Sequence, residues 1–89
     1  MKIRLLFFAS LRERLGCSGE TLELPADITT VGQLRRFLAA RGGAWADAFT
    51  PPASGRDTLR AAVAQEMACG DTLLMEGAEV AFFPPVTGG

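Results

Sequence analysis

Few residues of this chain could do chemistry of their own. Its 89 residues include no histidine, so the commonest general base and the commonest metal ligand are both missing. Cys17 and Cys69 are the two thiols, too few for a structural zinc site, which usually takes four Cys or His ligands. They are also too few for the disulfide framework of a small secreted domain. Cys17 could carry sulfur itself, but no His or Lys lies close in sequence to lower its pKa. Cys69 reads as a small buried residue or a turn position. No phosphate-binding loop is present.

What remains is the closing stretch Phe82-Phe83-Pro84-Pro85-Val86-Thr87-Gly88-Gly89. Pro84-Pro85 fixes φ twice and favours polyproline II, which aims whatever follows. Val86 to Gly89 could reach about 13 Å beyond the body. Gly88 and Gly89 have no Cβ, so they could pass a channel that any other residue would block. The Gly89 carboxylate would be sterically open, and it becomes reactive only as a mixed anhydride such as an acyl adenylate made with ATP. Another protein must do that. The plain alternative is a frayed end, to which glycine is well suited.

Such a tail needs a body to project from. KIRLLFFA, Lys2 to Ala9, reads as a first strand with Ile3, Leu5 and Phe7 on one face. Ser10 to Gly16 reads as a short helical turn with Ser10 as N-cap and Gly16 as stop. ETLEL, Glu20 to Leu24, alternates as a second strand that Pro25 ends. Thr30 and Gln33 have capping-box spacing and open a helix to about Arg41, with Val31, Leu34 and Leu38 in phase. Gly42-Gly43 closes it, and Ala44 to Phe49, with Trp45, is expected to add another helical turn. Thr50 to Asp57 is a loop by composition, with no ordered structure assigned. Leu59 to Met67 gives a weak strand signal centred on Ala62-Val63-Ala64, and Glu79 to Phe83 a clear one. The fold class is α+β: a mixed sheet of four to five strands with one main helix across one face. The first and last strands, being most apolar, should be the central pair.

Composition bounds the partners. At 89 residues the chain is one domain. A net charge of −1 leaves no footprint for nucleic acid. The apolar run from Leu5 to Ala9 is too short for a signal sequence or membrane span, which points to the cytoplasm with reduced thiols.

LLFFASLRERLG, TVGQLRRFL with Trp45, LRAAVAQ and GAEVAFFPPVTGG together resemble the small-subunit family of molybdopterin synthase, the sulfur carriers of molybdenum cofactor biosynthesis. The resemblance spans nearly the whole chain in order, and EVAFFPPVTGG is its specific part. It implies a β-grasp, ubiquitin-like domain over 1–83 and an extended tail over 84–89. It also implies a cycle in which an E1-like adenylyltransferase uses ATP on Gly89 and a persulfide donor makes a thiocarboxylate. The large subunit then receives the tail, in a heterotetramer with two of each, and the sulfur builds the dithiolene. No cofactor or metal is expected on this chain itself. Gly88 and Gly89 would be the reactive end, with Pro84, Pro85, Val86 and Thr87 contacting partners.

Adjacent Phe82 and Phe83 must point to opposite faces of a strand, and one helix covers only one face. The resemblance favours Phe83, with Met67, as the exposed apolar patch, while Phe8 is read as core or partner surface. Two departures stand out. Ala64-Gln65 occupies a place where the family often has Asn-Gln, so a polar contact is expected to be lost. The loop with Pro51-Pro52 and Ser54-Gly55 differs from the family's shorter, acidic one. Two other functions use the same chemistry or none: a ubiquitin-like modifier or thiamine-type carrier, and an interaction module with an inert tail.

Overall fold

The computed structural model describes residues 1–53, 55 and 57–84. In chain order it contains β1 (Lys2–Phe7), α1 (Ala9–Leu15), β2 (Gly19–Glu23), α2 (Val31–Ala39) and α3 (Gly43–Phe49), then β3 (Arg60–Val63), β4 (Glu66–Ala68) and β5 (Glu79–Phe83). The strands form one mixed sheet in the order β2-β1-β5-β3-β4. β1 and β5 are parallel and every other neighbouring pair is antiparallel. This is the expected α+β, β-grasp arrangement, with the two most apolar strands adjacent in the interior of the sheet.

One face of the sheet makes the core. Ile3, Leu5 and Phe7 of β1 and Val80 and Phe82 of β5 are each at most 1% exposed, and they cluster with Leu34 and Leu38 of α2. Each large apolar side chain removed from water in this way contributes about 1.5–3 kcal/mol. α3 closes the core with an aromatic group. Phe49 meets Phe82 edge-on at 5.1 Å and stacks on Trp45 at 5.8 Å, while Phe7 meets Trp45 edge-on at 5.4 Å.

α2 starts where its capping box predicts. Thr30 Oγ1 accepts from the Gln33 N–H at 3.2 Å, and Gln33 Oε1 accepts from the Thr30 N–H at 3.1 Å, satisfying two otherwise unpaired donors. The helix ends at Ala39, two residues before Arg41, and the chain leaves it through Gly42 at φ 78°.

Three local expectations are corrected. Ser10 is not the N-cap of α1: the cap position is Phe8, without a side-chain hydrogen bond, and Ser10 lies inside the first turn. Ala9, at φ 54°, turns the chain out of β1 one residue earlier than the Ser10 signal suggests. Gly16, at φ 75°, ends the helix as expected. Next, residues 59–67 form a hairpin, not one strand. Val63 pairs with Glu66, so Ala64 and Gln65 make a two-residue turn, with φ of 51° and 70°. Turns with two left-handed residues favour Asn-Gly or Asp-Gly, and Ala-Gln carries neither signal. The position of Ala64 therefore asks for left-handed backbone, which Asn tolerates better than Ala, and not for a polar contact within a strand. Finally, Asp57, at the end of the loop assigned no ordered structure, is anchored. Arg35 donates from Nε to the Phe49 carbonyl at 2.6 Å and pairs with both carboxylate oxygens of Asp57. Ser54 and Arg56 lie outside the described residues.

Candidate functional site

Because β1 and β5 bury alternate residues, the other half of each strand faces away from the core. The register aligns these residues across the sheet. Leu6 pairs with Ala81, Ala81 with Ala62, and Ala62 with Met67. One step along, Phe83 pairs with Arg60, and Phe8 comes level with Phe83, its N–H donating to the Phe82 carbonyl at 3.3 Å. The result is an apolar row of small and large side chains ending beside Pro84. Met67 is 67% exposed and Phe8 46%. Leu6, Ala62, Ala81, Phe83 and Pro84 are half-buried.

Phe82 and Phe83 thus divide as their alternation requires, Phe82 into the core at 1% exposure and Phe83 onto the open face. Phe8 stands on the open face too, so its reading as core is corrected. The extended backbone at Phe8, φ −122° and ψ 157°, continues the alternation of β1 and places it opposite Phe7. Pro84 follows β5 directly and lies at the rim of this patch. Pro85, Val86, Thr87, Gly88 and Gly89 lie outside the described residues. Sequence reasoning named the large residues of the patch but missed Leu6, Ala62 and Ala81, which only the cross-strand register brings into line.

Elsewhere the described surface holds little that could act as a reaction centre. A groove of about 530 Å³ runs between α2 and the β3–β4 hairpin, lined by Val31, Arg35, Ala61, Ala68, Cys69 and Phe82 among others. Its lining mixes these apolar side chains with Arg36 and Arg60, and Arg35 is already engaged with Asp57. Cys69 is exposed, not buried, and sits in a turn closed by the Thr72 N–H donating to its carbonyl at 3.1 Å. The Thr72 hydroxyl beside its sulfur, with the Asp71 backbone, draws the thiol below its ordinary pKa. Cys17 is half-buried against the core. No group of three His, Cys, Asp or Glu that could hold a metal occurs among the described residues. No helix among them is long and apolar enough to cross a membrane.

A small sheet with its core on one face and an apolar row ending at Pro84 on the other narrows the family, and sequence comparison decides it. The model of the ThiS family matches residues 5–89. The chain belongs to the ThiS family. Within it, the molybdopterin synthase sulfur carrier subunit of Escherichia coli (strain K12) is 46% identical over 87 residues, covering 98% of this chain and 99% of the relative. Among solved structures, SAMP1 of Haloferax volcanii, a small archaeal modifier protein, superposes with a TM-score of 0.80. It is 26% identical, and the match covers 100% of both chains. A chain in the protein–protein complex of subunits 1 and 2 of the molybdopterin-converting factor from Helicobacter pylori matches with a TM-score of 0.63. At 18% identity over 100% of both chains, that likeness is one of fold. The archaeal modifier and the converting-factor subunit thus share one β-grasp fold with the present chain.

Proposed function

We propose that this chain is the sulfur-carrier subunit of a molybdopterin synthase, acting in the cytoplasm and pairing with the large subunit as a heterotetramer. The observation that carries the reading is the continuity of the Phe8, Phe83 and Met67 face with the root of the tail at Pro84. The full-length match to a carrier subunit at 46% identity supports it. The catalytic residues belong to the large subunit, and this chain supplies a reactive end.

The chemistry follows from a carboxylate that must become a sulfur donor. An E1-like adenylyltransferase joins the Gly89 carboxylate to AMP, and pyrophosphate leaves ATP. The terminal sulfur of a donor persulfide attacks the acyl carbon and AMP departs, leaving an acyl disulfide. A thiol then takes the donor sulfur as a disulfide and releases the thiocarboxylate. That group is ionised at neutral pH and is a softer nucleophile than a carboxylate. Gly88 and Gly89 fit the narrow approach to each partner in turn, and Pro84 to Thr87 give aim and reach. ATP is a co-substrate of the activating enzyme, so this chain binds no cofactor.

Intact mass after incubation with ATP, the activating enzyme and a persulfide donor tests the reading. The expected product is an oxygen-to-sulfur exchange localised to Gly89. Deleting Gly88-Gly89 should leave the melting temperature unchanged and abolish dithiolene formation, and a truncated chain that still supported it would falsify the proposal. The likeness to SAMP1 favours a second reading, a ubiquitin-like modifier joined through Gly89 to lysines of other proteins. Isopeptide conjugates in the same incubation would mark that outcome.

A further inference from the structure

The charges on the open face are not evenly compensated. Towards its far end each cation has an acid opposite it in the register, Lys2 by Glu23 and Arg4 by Glu79, although neither closes to an ion pair among the described residues. At the tail end, Arg60 stands across from Phe83. It is exposed, and it makes no ion pair among the described residues. The nearest acid along the chain, Asp57, is held by Arg35 through both carboxylate oxygens, and the charge of Arg60 is the least of the influences on it. On the other side of the root, Arg14 lines a small cleft of about 80 Å³ with Ser10, Thr58 and Pro84. It too is exposed and without an ion pair among the described residues. Two guanidinium groups without a carboxylate partner among the described residues therefore lie near Pro84, Arg60 across from Phe83 of the apolar row and Arg14 in the cleft on the helix side.

We propose that Arg60 and Arg14 are specificity-determining residues that select a large subunit whose tail-receiving entrance is rimmed with carboxylates around an apolar socket. This rests on the sulfur-carrier reading above. The planar guanidinium fork fits a carboxylate through two parallel hydrogen bonds, which fixes orientation as well as attraction. Charges at the rim of an interface act chiefly on encounter rate and register, while the buried apolar anchors set the lifetime of the complex. With a net charge of −1, the whole chain exerts no long-range pull on an acidic surface. Attraction has to come from where the cations are placed, and these two are placed at the tail.

Association kinetics of the full-length chain with the large subunit of the same genome, at low and high salt, test this. Arg60→Gln should slow association about threefold to tenfold at low salt and flatten its salt dependence, and Arg60→Glu should slow it further. Arg14→Gln should act in the same direction. Melting curves of each variant check folding, and if Arg60→Glu melts early, Arg14→Glu serves as the charge reversal. Unchanged association rates in the charge-reversed variants, or association of the parent that does not vary with salt, would overturn the proposal. If the parent binds and Met67→Lys weakens it while the arginine variants do not, the charge proposal alone falls. If the parent does not bind the large subunit, the carrier reading falls with it.

Discussion

Ala64 is the residue whose chemistry and conformation disagree most. A left-handed backbone costs an ordinary L-residue about 1–2 kcal/mol, and Ala64 at φ 51° bears that cost in the turn between β3 and β4. Ala64→Asn should therefore raise stability by about 1 kcal/mol, or about 4–8 °C in Tm for a domain of this size, measured by thermal or urea unfolding. Asp57 sets a pH dependence. Its carboxyl is lowered first by the hydrogen bond from Arg35, against the raising effect of desolvation, with the Arg35 charge adding to the lowering. A carboxyl held lower in the folded state stabilises the protein above its ordinary value of about 3.9. That contribution disappears as pH falls from there through the folded-state value. Because Asp57 is 39% exposed, solvent screening limits the effect to about 0.5–1 kcal/mol. Asp57→Asn should thus be less stable than the parent by about that amount near neutral pH, and the two should converge towards pH 2. Denaturant titrations across that range measure the difference.

At the scale of elements, α2 depends on its first turn. The reciprocal bonds of Thr30 and Gln33 are supplemented by the Thr29 N–H, which donates to Gln33 Oε1 at 2.7 Å. Removing the hydroxyl leaves the Gln33 N–H without its partner. Thr30→Ala should cost about 1 kcal/mol in equilibrium unfolding, with the fold otherwise unchanged. The other end of the α2–α3 unit is fastened to the sheet by Arg41, which pairs with Glu20 at 2.5 Å and lies 4.4 Å from the Trp45 ring centroid. Some of these elements were readable in advance. Thr-x-x-Gln before a 3.6-residue apolar period marks a helix start by its own local hydrogen bonds, and Gly16 marks an end by its freedom at positive φ. The β3–β4 hairpin was not readable, because Ala64-Gln65 adopts its turn against local preference. Antiparallel pairing on both sides of the turn forces it, from Ala61 to Ala68 and from Ala62 to Met67.

Over the whole molecule, one sheet face builds the core and the opposite one carries the apolar row that ends at Pro84. Met67 contributes almost nothing to the core at 67% exposure. Met67→Lys should therefore leave the unfolding free energy within about 0.5 kcal/mol of the parent. In the proposed complex it should weaken large-subunit binding about tenfold to hundredfold, since anchors in the centre of an interface dominate its energy. Calorimetry on the parent and variant measures both quantities. A variant that loses stability and binding together would mean that Met67 packs inward. Leu73 and Met75, at 67% and 72% exposure, lie beyond the far end of the sheet, where the Gly77 N–H donates to the Lys2 carbonyl. They are separate from Pro84 and the apolar row.

The sequence by itself determined the class of fold, the capped start of α2, the pairing of β1 with β5 at the heart of the sheet, and the choice of Gly89 as the candidate reactive group. Each rests on information local to a few residues: apolar alternation, a capping pair, glycines after prolines. Only the tertiary structure decided that Phe8 stands on the open face rather than in the core, that residues 59–67 fold back as a hairpin, and that Leu6, Ala81, Ala62 and Met67 form one row. It also set Arg60 across from Phe83 and Arg14 in one cleft with Pro84. Those outcomes depend on which strand lies beside which and in what register, and a shift of one residue would exchange the two faces of the sheet.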